Sequence, residues 1–120
     1  MGFNIFSLEK RVNIERYARE LIRDMHLYNE KSYINKINYN IHIADNGYKI
    51  ETEEGSMIKE IKLPDNIYIY SNIKNNCISL EYNKVIINNG GSIEFKAKKG
   101  NQIAVITIIP TTGRITLKKE

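Results

Sequence analysis

The chain has 120 residues, 42% hydrophobic and 27% charged, with a formal net charge of +4, a balance that suits one water-soluble globular domain with a single modest core. No apolar run approaches the roughly 20 residues needed to cross a bilayer, and the lone Cys77 excludes an internal disulfide and any cysteine-based metal cluster. The positive balance permits association with an anionic polymer or lipid headgroups, although charge of this size also serves solubility.

From Ile14 to Tyr28 the residues Ile14, Tyr17, Ala18, Leu21, Ile22, Met25 and Tyr28 recur at helical spacing, with Arg16, Arg19, Glu20, Arg23 and Asp24 opposite, which predicts an amphipathic helix ending near Lys31. Glu15 with Arg19, and Arg16 with Glu20, stand four residues apart and are expected to pair on its solvated face. Upstream the order is lost. At roughly 100° per residue, Phe3, Ile5, Phe6, Leu8 and Val12 spread around the whole circumference, and a helix apolar on every side belongs in a membrane or among other helices. The first dozen residues therefore read as the end of a longer hydrophobic segment, with Met1-Gly2 a start placed on a truncated chain. They do not read as a signal peptide, since the apolar patch is too short and Lys10-Arg11 lies on its wrong side.

Beyond Lys31 short β-branched and aromatic runs alternate with turn residues, the pattern of strands. A type I′ turn at Asn46-Gly47 would pair Tyr39–Asp45 with Tyr48–Thr52, setting Ile43 opposite Ile50, Ile41 opposite Thr52 and His42 opposite Glu51. Met57–Leu63 reads as an irregular strand, followed by a turn at Pro64-Asp65-Asn66 and strands at Ile67–Tyr70, Cys77–Tyr82 and Val85–Ile87. After the break at Asn88-Asn89-Gly90-Gly91, Ser92–Lys98 alternates apolar with charged residues, Gln102–Ile109 is apolar at nearly every position, and Pro110 stops it. The first of these is expected to have one wet face and the second to be a central strand covered on both sides. Arg114–Lys118 closes a meander. The layer rule then lays Ile14, Tyr17, Ala18, Leu21 and Met25 across the sheet, giving an α+β domain with a spine helix over residues 1–31 and a β region over 38–120.

Catalytic signatures are missing from this pattern. His26 and His42 have no cysteine or carboxylate at ligand spacing, so no metal site is expected. Gly90-Gly91 lacks the helix and Gly-Lys-Ser/Thr of a phosphate loop, and Cys77 has no base within its local motif and suits a small buried apolar role. Glu53-Glu54 reads as a solvated turn. No enzyme activity, cofactor or small-molecule substrate is expected. What remains is basic: Lys10, Arg11, Arg16, Arg19 and Arg23 on the helix, and Lys96, Lys98, Lys99, Arg114, Lys118 and Lys119 on the closing meander. The second group could meet phosphates, although cationic side chains on edge strands also block aggregation.

In the order of its parts the chain resembles the type IV pilin superfamily, in particular minor pilins and pseudopilins of the GspH/FimT kind. The likeness rests on the change from all-round apolar to amphipathic helix near Asn13, on Leu63-Pro64-Asp65-Asn66-Ile67-Tyr68-Ile69, on Gly91-Ser92-Ile93-Glu94-Phe95 and on Thr112-Gly113-Arg114-Ile115. Gly2-Phe3 is not taken as the prepilin cleavage site, because the fifth position counted from Phe3 is Ser7 rather than glutamate. The resemblance implies a pilin-like fold and a structural role in a type IV pilus, competence or type II secretion-like filament, in a priming or tip position. Such a subunit is anchored in the bacterial cytoplasmic membrane by its missing segment, then exposed at the cell surface among other pilin subunits. Phe3, Ile5, Phe6, Leu8 and Val12 would meet lipid before assembly and neighbouring helices afterwards. A DNA-binding branch of the family carries Gly-Arg-x-Arg near its C-terminus. Here Gly113-Arg114 match and Thr116 replaces the second arginine, so Arg114, Lys118 and Lys119 are the candidate DNA contacts of a tip subunit. A free-standing protein-binding domain is the remaining alternative.

Overall fold

The computed structural model describes residues 3–82, 84–87, 90–109 and 112–119, with side chains from residue 14 onward. The readings on Asn88-Asn89 and Pro110 lie outside the described residues, as do the side chains of Phe3, Ile5, Phe6, Leu8 and Val12. A helix, α1 (Phe3–Asn35), precedes nine strands: β1 (Tyr39–Ala44), β2 (Gly47–Thr52), β3 (Met57–Lys62), β4 (Ile67–Ser71), β5 (Cys77–Glu81), β6 (Lys84–Ile86), β7 (Ser92–Ala97), β8 (Ile103–Ile109) and β9 (Arg114–Lys119). They form a five-stranded sheet ordered β3-β2-β1-β5-β6 and a four-stranded sheet ordered β4-β7-β8-β9, with every pairing antiparallel. This is an α+β architecture in which the helix packs on β1, β5 and β6 of the first sheet and on β7, β8 and β9 of the second.

The helix stripe explains that placement. Ile14, Ala18, Leu21, Met25 and Tyr28 are buried, and Tyr17 and Ile22 pack part-buried against the same core. Across from them lie Ile41, Ile50, Ile78 and Leu80 from one sheet and Ile93, Phe95, Ile106 and Ile108 from the other, all at most 1% exposed. The helix runs past Lys31 to Asn35 and stops where Lys36 takes a positive φ of 56°, the left-handed residue that commonly ends helices. Tyr28 and Tyr39 then stack edge to face, with centroids 5.3 Å apart, and tie the helix end to the start of β1.

Two strand expectations change. The first hairpin pairs Ala44 with Gly47, Ile43 with Tyr48, Ile41 with Ile50 and His42 with Lys49, a slip of two residues that keeps every side chain on its expected face. Its tip is Asp45-Asn46 because tertiary hydrogen bonds hold it there. The Asp45 carbonyl accepts from Ile69 N–H (2.9 Å) and the Asn46 carbonyl from Leu63 N–H (2.8 Å). Gly47 is left inside the strand with φ 157°, where a Cβ would overlap the Ile61 carbonyl oxygen. Close approach of β3, not turn geometry, is what requires glycine there. The second change is in β8, where Ala104, Ile106 and Ile108 are buried but Thr107 and Ile109 are exposed and Ile103 and Val105 only half-buried. With the helix on one side, the other face of the four-stranded sheet has no layer over it among the described residues.

Candidate functional site

Asp24, expected on the wet side of the helix, is 5% exposed. It accepts a 2.7 Å hydrogen bond from the buried Tyr48 hydroxyl and lies 3.0 Å from Lys59 Nζ, which also reaches Glu20 at 3.3 Å. Burial is tolerated because both oxygens are engaged. Burial and then the bond to Asp24 raise the Tyr48 phenol far above its ordinary range. For Lys59, burial pulls the ammonium down, but the Asp24 and Glu20 carboxylates outweigh it and leave its pKa raised. This network clamps the edge strand β3 to the helix, and no local sequence pattern links residues so far apart.

The same network changes the helix surface. Glu15 pairs with Arg19 as expected (2.9 Å), but Glu20 is drawn to Lys59, not to Arg16. From the far end of the chain Lys119 reaches Glu15 at 3.2 Å. Hydrogen bonds from Arg19 and then Lys119 hold the Glu15 carboxyl below its ordinary pKa. Arg16 and Arg23 stay exposed, with no ion-pair partner among the described residues. Glu15, Arg16, Arg19, Glu20 and Arg23 line a shallow groove of about 440 Å³.

The three candidate DNA contacts are not brought together. Arg114 and Lys118 alternate with the inward Ile115 and Leu117 and stand on the outer sheet face, about 13 Å apart at the usual strand rise of ~3.3 Å per residue. Lys119 turns to the helix and to Glu15. Lys96 shares the outer face but lies 3.9 Å from Glu94, so the meander's basic group divides between two faces and two ends of the sheet.

On the outer face of the five-stranded sheet Cys77 is the β5 partner of His42, whose Nε2 lies 3.8 Å from Glu51. Strand pairing thus gathers a thiol, an imidazole and a carboxylate that the sequence scatters. Burial, partly offset by a hydrogen bond with Ser79, pushes the half-buried thiol up, which keeps it protonated and unlike an activated nucleophile. Among the described residues no group of three His, Cys, Asp or Glu side chains could hold a metal ion, and no helix is long and apolar enough to cross a membrane. Neither family models nor curated proteins nor solved structures give a match to this chain.

Proposed function

We propose that the protein is a minor pilin or pseudopilin, a structural subunit of a type IV pilus, competence or type II secretion-like filament. The observation that carries this reading is α1 itself, a 33-residue helix whose part from Ile14 onward is seated by a continuous apolar stripe on two antiparallel sheets. The same helix continues without interruption through Phe3–Val12, where the sequence is apolar on all sides. Such a segment is stabilised by lipid or by other helices, and a filament core of bundled helices supplies the latter. In this reading the protein waits in the bacterial cytoplasmic membrane, is extracted into the filament among other pilin subunits, and presents its β region at the cell surface.

The alternative of a DNA-capturing tip has less support, because Lys119 is committed to Glu15 and faces away from Arg114 and Lys118. Phe6→Asp with Val12→Asp in the full-length gene product tests the leading reading. Expected is loss of the protein from sheared filaments with thermal stability of the β region unchanged. Incorporation equal to the parent, or a parent protein that never enters the filament or membrane fraction, would overturn it.

A further inference from the structure

Basic residues that are far apart in sequence meet on the helix surface in the fold. Lys119 at the end of β9 and Arg19 on the helix share the Glu15 carboxylate at 3.2 and 2.9 Å, while Lys59 on β3 holds Glu20 at 3.3 Å. Lys119 and Arg19 offset Glu15, Lys59 is shared between Glu20 and Asp24, and Arg16 and Arg23 remain exposed beside the groove of about 440 Å³, with no ion-pair partner among the described residues. Spacings of three and four residues set these arginines on one line of the helix. Helical side chains lean toward the N-terminus, so their guanidinium groups are carried back along α1 in the direction of Phe3–Val12.

We propose that this arginine ridge docks on an anionic bilayer surface, with lipid phosphates lying in the groove. The inference rests on the filament-subunit reading only in placing the start of α1 at a membrane. Arg16 to Arg23 spans about 10 Å along the axis at ~1.5 Å per residue, somewhat more than the roughly 5–8 Å depth of one headgroup layer, so the N-terminal part of the ridge would lie deepest among the phosphates. Guanidinium forks match phosphate oxygens in pairs. A second copy meeting this ridge across a two-fold axis is a poor occupant, since the same cations would face one another.

Partitioning of the intact chain onto phosphatidylcholine vesicles with and without phosphatidylglycerol, measured by co-sedimentation against salt, tests the proposal. Binding is expected to be tighter with the anionic lipid than with the neutral one, where Phe3–Val12 acts alone, and that excess should weaken as salt rises. A cationic side chain near such a surface contributes about fivefold, so R16Q/R23Q is expected to bind about 25-fold more weakly, while R16K/R23K, which keeps the charge but loses the paired donors, should fall between it and the parent. K49Q/K84Q removes equal charge from the sheet surfaces turned away from the helix and should change little. Both arginines are exposed and make no described contact, so the fold is not at risk. Equal losses in R16Q/R23Q and K49Q/K84Q, or equal binding to neutral and anionic vesicles, would overturn the ridge while leaving filament membership untouched.

Discussion

Removing one hydroxyl, with Tyr48→Phe, tests how the helix is fastened to the five-stranded sheet. The phenol is 3% exposed and donates at 2.7 Å to Asp24, itself 5% exposed. A hydrogen bond to a charged group contributes about 1.5–3 kcal/mol. Asp24 keeps Lys59 at 3.0 Å after the change, so the lower half of that range applies and a loss of about 2 kcal/mol is expected. Asp24→Ala should cost more, about 3 kcal/mol, because it strands the buried hydroxyl and takes away one of the two carboxylates that hold the Lys59 ammonium. It should not reach the ~5 kcal/mol of a fully buried pair, since the Lys59 side chain is 30% exposed and Glu20 still holds it. Urea unfolding followed by far-ultraviolet circular dichroism reads both. At a slope of about 1.5 kcal/mol/M, 2 kcal/mol lowers the midpoint by roughly 1.3 M with the slope unchanged. In the Asp24→Ala background Tyr48→Phe should be close to neutral, since its acceptor is gone. A cost below about 0.5 kcal/mol for Tyr48→Phe alone, or additive costs in the double variant, would refute the clamp.

Alkaline stability follows from the same pair. The Tyr48 and Lys59 pKa values are both raised in the fold, so the folded state keeps protons that the unfolded state releases. Their contribution is whole below the unfolded values of 10.0 and 10.5 and is lost as pH rises past them. The tyrosine accounts for about 1.36 kcal/mol per pH unit of that slope. Denaturation against pH should show a steeper alkaline loss in the parent than in Tyr48→Phe; identical slopes would contradict the shift. Gly47→Ala places a methyl group against the Ile61 carbonyl and should destabilise by about 1–3 kcal/mol through forced separation of β2 and β3. Glycine substituted merely at a permissive turn would cost far less, and a shift in melting temperature within error would show that β3 can yield.

Sequence periodicity alone determined the helix stripe, most strand positions and the inward or outward sense of the first hairpin and of the strands at Ser92–Lys98 and Arg114–Lys118. Those properties depend on repeats of 3.6 and 2 residues that each element carries in itself. Ile14, Ala18, Leu21 and Met25 are buried where the spacing puts them, and Ile93, Phe95 and Ala97 alternate with Glu94 and Lys96 as expected. Partners were decided elsewhere. The first hairpin slipped by two residues because Leu63 and Ile69 supply amides to the carbonyls of its tip, contacts that no local turn preference anticipates. The apolar run of β8 pointed to cover on both faces, yet α1 can lie on only one, and the division of the described strands into two sheets is likewise a property of the assembled chain.

The charged residues divide in the same way. Composition and helical spacing located Arg16, Arg19 and Arg23 on one face, and the four-residue rule correctly paired Glu15 with Arg19. Whether that face stays basic depended on Lys59 and Lys119, which arrive from β3 and from the end of β9. Asp24 was placed among solvated residues because neighbours along a helix carry no information about a tyrosine delivered by β2. Periodicity is a one-dimensional property and was legible in the chain itself, whereas which charge meets which is set by chain crossings in space and emerged only in the folded structure.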